Sequence, residues 1–327
     1  MKAAWYTALG AASDVLDVGE ARTPEAGPVL FLVSVMASGV NPIDVKRRAG
    51  GRGGMSTARV TPHFDGAGVV EAVGDGVEPG RVGERVWLYE AQWQRQQGTA
   101  AEAVALPAHL AVPLPEAASF EEGACLGIPA LTAHRCVFGD GQVEGKTVLV
   151  TGGAGCVGNY AVQFAALSGA RVIATVSSEE KGALATRAGA DAVINYRSES
   201  VPDVVSELTA GEGVDRIVEV EFGGNVADSV EVLKPRGVVA AYASQAHPEP
   251  SIPFYAMMYR NLVARFEIVF GMSEDAKLQA LDDLRGWLEQ GCLHHPAVET
   301  FTLEDIVQAH LAVEEGLVGK AVINFED

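Results

Sequence analysis

Apolar residues along the chain fall into two textures. Over roughly the first third they form short runs, VLFLVSVMA, GAGVVEAVG, RVWLYE and AEAVALP, cut by Gly, Pro and Asp, with no long amphipathic helix among them. Such runs predict a small, irregular, mostly β unit. From Gly123 onward, continuous apolar runs alternate with helix-sized segments: KTVLVTGG, a helix over about 158–169, ARVIATV, a helix through EEKGALATRAG, DAVINY, a helix through PDVVSELTA, VDRIVEV, another helix and GVVAAYA. Strands of this kind are buried on both faces, and regular strand-helix repetition predicts a parallel, doubly wound α/β sheet. Gly169 and Gly189 stand where a left-handed cap ends each helix before the next strand. Beyond about residue 260 the pattern predicts a β-like run, RFEIVF, then an amphipathic helix with Leu278, Leu281, Leu284 and Leu288 inward. A helix opening at Thr302 with Asp305 three residues on, and a closing strand KAVINF, complete the chain.

A chain of 327 residues fits two domains, one of them built from separated stretches. With 48% hydrophobic and 20% charged residues it is a packed globular protein rather than a disordered one. No window approaches the roughly 20 apolar residues of a membrane span, and MKAAWYTALG lacks the pattern of a secretory leader, so a cytoplasmic protein is expected. The four cysteines form no C-x-x-C pair, which points to neither a zinc knuckle nor a disulfide framework. Forty-three acidic against 24 basic residues give a formal charge of −19, which argues against nucleic acid and anionic membranes as partners. The local exception is Lys46-Arg47-Arg48 with Arg52 in AGGRGG, readable as an anion or RNA contact or as a solvated loop.

In VLVTGGAGCVGNYAVQFA, Gly153-x-Gly155-x-x-Gly158 directly follows an apolar strand and directly precedes a helix. That context makes it a dinucleotide fingerprint: Gly153 for the tight turn, Gly155 for close approach to the pyrophosphate, Gly158 for packing of helix on strand. The helix N-terminus, with Cys156 and Val157 in its first turn, meets the negative charge. The following strand, RVIATV, ends in Val176-Ser177-Ser178 without the carboxylate that an NAD site uses to hold ribose hydroxyls. With Ser177 free to donate and Lys181 one turn on, the end of this strand suits a 2′-phosphate and favours NADPH, although Glu179 and Glu180 stand beside it. Tyr196 in INYR either covers the adenine, touches the phosphate or is a packing tyrosine.

The chain resembles the medium-chain dehydrogenase/reductase superfamily in its zinc-independent quinone oxidoreductase branch, which includes zeta-crystallin. The likeness rests on SGVNPIDVKRRAG, DGAGVVEAVG with GERVW, IPALTAH, VTGGAGCVGNYAVQFA, ATVSSEEK with AGADAVINY, and GKAVINF. It implies a doubly wound Rossmann domain over 124–261 inserted into a GroES-like, mostly β catalytic domain made of 1–123 and 262–327. Homodimers or homotetramers are usual in the family. The resemblance further implies cofactor contacts at Asn41, Thr132, Ala243, Ser244, Phe270 and Lys320.

Zinc-dependent relatives place a cysteine where this chain has Asn41, and the histidine of a Gly-His-Glu motif where it has Phe64 in His63-Phe64-Asp65. Neither residue binds zinc, and the cysteine-rich structural lobe is replaced by EAQWQRQQG, so no metal is expected. The relay hydroxyl of alcohol oxidation falls on Ile43. Without a Lewis acid, the easier hydride chemistry is reduction of a quinone or an α,β-unsaturated carbonyl, whose oxygen needs only hydrogen-bond donors. Asn41 offers its amide to that oxygen or to the nicotinamide ribose, or caps the NPID turn that Asp44 orders. Many relatives carry a tyrosine where this chain reads Arg48-Ala-Gly-Gly-Arg52; Tyr255 and Tyr259 are candidate replacements at the substrate. Arg48 and Arg52 would suit an anionic conjugated substrate, an acyl thioester or a 2-substituted acrylate. A cofactor-binding redox sensor without turnover is the reading from another class.

Overall fold

The computed structural model describes residues 1–51, 54, 55 and 57–325. Along the chain lie β1 (Lys2–Trp5), α1 (Ala12–Val15), β2 (Asp17–Glu20), β3 (Leu30–Val40), α2 (Pro42–Arg48), β4 (Asp65–Val73), β5 (Arg85–Leu88), β6 (Ala103–Pro107), β7 (Ala111–Pro113), α3 (Phe120–Gly123) and α4 (Gly127–Phe138). There follow β8 (Thr147–Val150), α5 (Cys156–Leu167), β9 (Arg171–Val176), α6 (Glu179–Arg187), β10 (Ala192–Asn195), α7 (Val201–Leu208), β11 (Val214–Glu219), α8 (Phe222–Val232) and β12 (Leu233–Ala241). The last elements are α9 (Phe254–Tyr259), β13 (Val263–Phe266), α10 (Glu274–Glu289), β14 (Val298–Phe301), α11 (Ile306–Glu314) and β15 (Lys320–Asn324). Two compact units result: Met1–Ile128 with Asp283–Asp327, and Pro129–Asp282.

The first unit is built on a seven-stranded sheet in the order β14-β15-β3-β4-β5-β7, with β6 also on β3. The 11-residue β3 pairs with β4 along one edge and shares the other between β6 and β15, so it carries the middle of the unit. Its core includes Tyr6, Val40, Val45, Val60, Ile306 and Ile323.

The second unit is a parallel six-stranded sheet in the order β10-β9-β8-β11-β12-β13. Leu149, Ile173, Ile194, Ile217 and Val239 from five neighbouring strands share one core, which is why those strands read as unbroken apolar runs. The chain starts at β8, runs outward through β9 to β10, then returns to the other side of β8 as β11. That reversal opens a crevice at the carboxyl ends of the strands. Gly169 and Gly189 end α5 and α6 with φ of 76° and 108°, as the sequence predicts.

Three expectations need correction. The chain does not return to the first unit at 262: Val263–Phe266 pairs in parallel with Val238–Ala241, and the second unit runs on to Asp282. The short apolar run there completes an open sheet edge instead. Leu278 is 64% exposed, because the buried stripe of α10 runs through Ala280, Leu284 and Leu288 at i, i+4 and i+8. The last helix starts at Ile306 rather than Thr302, since the Thr302 hydroxyl bonds the Asp305 carboxylate at 2.8 Å and closes a separate turn first.

Candidate functional site

β8 delivers Thr151 to the glycine loop. The left-handed turn falls on Gly152, with φ of 66°, and not on Gly153 as expected. Gly153 is required for packing: a Cβ there would lie 2.8 Å from the Cβ of Ala174 on β9. A Cβ on Gly158 would lie 2.2 Å from the Gly152 carbonyl oxygen, so the third glycine lets α5 sit on the loop. Gly155 is the N-cap of α5, and no side chain caps that helix. A Cβ at Gly155 would meet only the Gly152 carbonyl oxygen, at 3.4 Å, which leaves the approach to the first turn, Cys156 and Val157 included, clear for an anion.

At the end of β9, Ser177 is half-buried and Ser178 caps α6, its hydroxyl accepting from the Lys181 amide at 3.3 Å. The Tyr196 amide donates to the Val176 carbonyl at 3.1 Å, which brings Tyr196 to the same strand end. The residue is 52% exposed. Glu179 and Glu180 are exposed in the first turn of α6, where they serve the helix dipole. After β12, the Ala243 carbonyl accepts from Phe222 N at 3.0 Å and the Ser244 hydroxyl from Gly223 N at 2.9 Å, tying this loop to the start of α8. Thr132 lies buried on α4, and Phe270 is half-buried in a short turn after β13.

A cavity of about 630 Å³ lies in the crevice of this unit, lined by Thr151, Gly152, Thr175, Tyr196, Glu219 and Asn225 among others. Sequence reasoning passed over Glu219. The signal was present: a carboxylate ends the buried strand VDRIVE, where only an apolar residue packs without a partner. Its Oε1 accepts from Thr151 Oγ1 at 2.8 Å, Glu221 N at 2.6 Å and Asn225 Nδ2 at 2.9 Å. Burial pushes this carboxyl above its ordinary range.

In the first unit, Asn41 opens α2 and is 2% exposed. Its Oδ1 accepts from Lys320 Nζ at 2.6 Å, and its Nδ2 donates to Asp65 Oδ2 at 2.7 Å. One amide hydrogen remains for a ligand. Lys320 also pairs with Asp65 Oδ2 at 3.1 Å, and Asp65 Oδ1 accepts from Ile128 N at 2.9 Å. Lys320, expected at the cofactor, has its ammonium on Asn41 and Asp65 within this unit, where it offsets the buried Asp65 charge. Asp44 accepts from Asn41 N at 2.7 Å and so orders the turn. Burial, aided by the Asp65 charge, pushes Asp44 up to about 7.

The basic run is a second correction. Arg48 is 1% exposed, donating to Gly10 O at 2.6 Å and paired with Glu314 on α11. It is neither a solvated loop residue nor a contact for an anionic substrate, since its charge is neutralised within the fold. Arg52 lies outside the described residues. Tyr255 and Tyr259 are exposed on α9, their rings stacked at 6.3 Å.

These groups do not fit zinc. The amide of Asn41 and the phenyl ring of Phe64 are not zinc ligands, and the carboxylate beside them already holds an ammonium. Among the described residues no helix is long and apolar enough to cross a membrane.

Comparison with known proteins accords with this geometry. The alcohol dehydrogenase GroES-like domain matches residues 27–116, and the family described as zinc-binding dehydrogenase matches residues 156–284. Quinone oxidoreductase of Rattus norvegicus is 30% identical over 300 residues, 89% of this chain and 88% of that protein. A mycobacterial protein solved in complex with NADPH superposes with a TM-score of 0.87 at 29% identity, covering 99% of this chain and 100% of the other. An NAD-dependent alcohol dehydrogenase superposes with a TM-score of 0.90 at 30% identity over 100% of both chains. With a GroES-like domain followed by a dinucleotide domain, and 30% identity along nearly nine-tenths of a quinone oxidoreductase, the chain belongs to the quinone oxidoreductase branch of the medium-chain dehydrogenase/reductase superfamily.

Proposed function

We propose that this protein is an NADPH-dependent reductase of quinones or α,β-unsaturated carbonyls that works without a metal. The observation that supports the cofactor assignment is the end of β9: the strand ends in Val176 without a carboxylate, Ser177 follows it, the Lys181 amide bonds the Ser178 hydroxyl that caps α6, and the Tyr196 amide bonds the Val176 carbonyl. The NADPH complex of the mycobacterial relative supports it. The NAD-dependent neighbour does not shift the assignment, because the feature that distinguishes the two cofactors is read from this chain's own residues.

Bound NADPH supplies the hydride. The uncapped first turn of α5 holds the pyrophosphate, and Ser177 with Lys181 holds the 2′-phosphate. Asn41, its amide fixed by Lys320 and Asp65, keeps one N–H to donate to the acceptor oxygen as negative charge develops there. Solvent supplies the proton. The anionic-substrate reading loses its main support, since Arg48 is paired with Glu314.

The test is NADPH oxidation with a simple quinone and with a neutral enone. Lys181→Glu should weaken NADPH roughly 10- to 150-fold while sparing NADH, as expected for loss of a charge-assisted bond worth about 1.5–3 kcal/mol. Equal loss for both cofactors would sink the cofactor assignment, and binding without any turnover would leave a sensor.

The protein acts as a homodimer in this proposal. β13 is an edge strand, and around it Phe266 is 70% and Tyr259 78% exposed, with Ile268 and Tyr255 also exposed. An open edge flanked by aromatic side chains is an aggregation hazard unless a second copy pairs with it. Light scattering should give a dimer for the wild type and a monomer for Phe266→Asp with Ile268→Asp; an unchanged dimer rejects this surface.

A further inference from the structure

The acidic cavity of the dinucleotide unit contains chemistry that the glycine loop does not use. Thr151, Gly152 and Thr175 bound it on one side, Asn225 and Asp228 of α8 on another. Among its lining residues are Glu219 and Glu221 and no lysine or arginine. Phosphate is repelled from such a space, whereas a neutral group bearing N–H or O–H donors is favoured.

Glu219 is fully buried. Its Oε1 is saturated by three donors from the glycine loop, the loop after β11 and α8. Its Oε2 is buried and meets no hydrogen-bond partner in the protein. A carboxylate oxygen taken out of water and given no donor in exchange is destabilising, which makes it a poor structural device. The same side chain could lock the loop equally well as a glutamine, because only one oxygen is needed for the three donors. What the carboxylate adds is a second acceptor, on a residue that lines the same cavity as Gly152 and Tyr196.

We propose that Glu219 is a cofactor-recognition residue whose Oε2 accepts a hydrogen bond from a donor on the adenosine half of the dinucleotide, while Oε1 ties the glycine loop to α8. The inference rests on the dinucleotide reading above and adds the residue that recognises the neutral, donor-bearing half of that molecule. The division of labour follows from charge: phosphates go to the start of α5 and to Lys181, and the ring and ribose donors go to the acidic cavity.

Glu219→Gln tests it, because the amide keeps an oxygen for the three donors and puts an NH₂ group where Oε2 stood. The dissociation constants of NADPH and of adenosine 2′,5′-bisphosphate, measured by calorimetry, should both rise about tenfold, the loss of one hydrogen bond to a charged acceptor. The Tm of the cofactor-free protein should stay level or rise, since a buried carboxyl is replaced by a neutral group. Unchanged affinity for the bisphosphate overturns the proposal. If the variant loses several degrees of Tm, a crystal structure of the wild-type holoprotein decides: an adenosine-half donor within about 3.2 Å of Oε2 supports the proposal, and Oε2 facing only protein or water overturns it. A wild type that binds no NADPH would instead reject the cofactor assignment itself.

Discussion

Lys320→Met is expected to lower the unfolding free energy by about 3–5 kcal/mol, because it strands a buried carboxylate without its counter-charge. Asp65 is fully buried and Lys320 nearly so, with 3.1 Å between Nζ and Oδ2. After the substitution Asp65 keeps the Ile128 and Asn41 N–H donors but loses the ammonium. Methionine fills most of the lysine's volume, so a cavity does not account for the loss. Asp65→Asn in the same chain should restore much of the stability, since the two charges then disappear together. Urea denaturation of the two single variants and the double variant measures the coupling. Additive losses, or a Lys320→Met loss below about 1 kcal/mol, would show that the pair is not what holds this network. The same substitution removes the donor to Asn41 Oδ1, leaving the amide free to turn over, so kcat for a quinone should fall further than the KM for NADPH changes.

The fold was largely legible because burial on both faces leaves a plain mark. KTVLV, RVIATV and VDRIV carry almost no polar alternation, and each became an inner strand of the parallel sheet. Boundaries that depend on tertiary pairing were not legible. Nothing local in LVARFEIVF says that its strand adds to β12 rather than to the strands of the first unit. Leu278 failed for a related reason: leucines at 278, 281, 284 and 288 fit a helical stripe, but the small Ala280 lies on the side that packs, and apolar size misled the choice of face.

The site divides in the same way. The glycine loop is local, and its spacing indicated the turn and the close packing, with the turn displaced by one residue from Gly153 to Gly152. The end of β9 is also local: the strand stops at Val176 and α6 opens directly after Ser178, as the sequence pattern predicts. Arg48, Lys320 and Glu219 depend on partners far away in sequence: Glu314, Asp65 and Thr151. A short basic run looks the same whether it faces solvent or buries one arginine against a distant helix.

Acid should destabilise the protein through a buried histidine pair that the sequence did not reveal. His63 Nε2 and His310 Nε2 lie 3.0 Å apart, and Ser38 Oγ links His63 Nδ1 at 2.8 Å to Thr99 Oγ1 at 2.7 Å. Thr99 donates to the Asp65 carbonyl at 2.6 Å, which fixes the direction of the whole chain. Thr99 must then accept from Ser38, Ser38 from His63 Nδ1–H, and the bare His63 Nε2 from His310 Nε2–H. A further proton on His63 would set two N–H groups against each other, and one on His310 would add charge beside Arg48. Burial first, and then the Arg48 charge, lower His310 to about 3, and burial holds His63 well below its ordinary value. Both rings are neutral when folded but take up protons near pH 6.5 when unfolded. Their stabilising contribution is therefore complete above about pH 6.5 and is lost as pH falls toward the folded values. For His310 alone the loss amounts to about 1.4 kcal/mol per pH unit, close to 5 kcal/mol if followed down to pH 3. Carboxylates titrate over the same range, so the comparison that isolates the histidine is wild type against His310→Gln, whose side-chain amide still donates to His63. Urea midpoints between pH 7.5 and 4 should converge as the wild type loses its advantage. Parallel curves across that range would mean that His310 takes up its proton in the folded state as readily as in the unfolded one, and that the directed chain of hydrogen bonds is not what keeps it neutral.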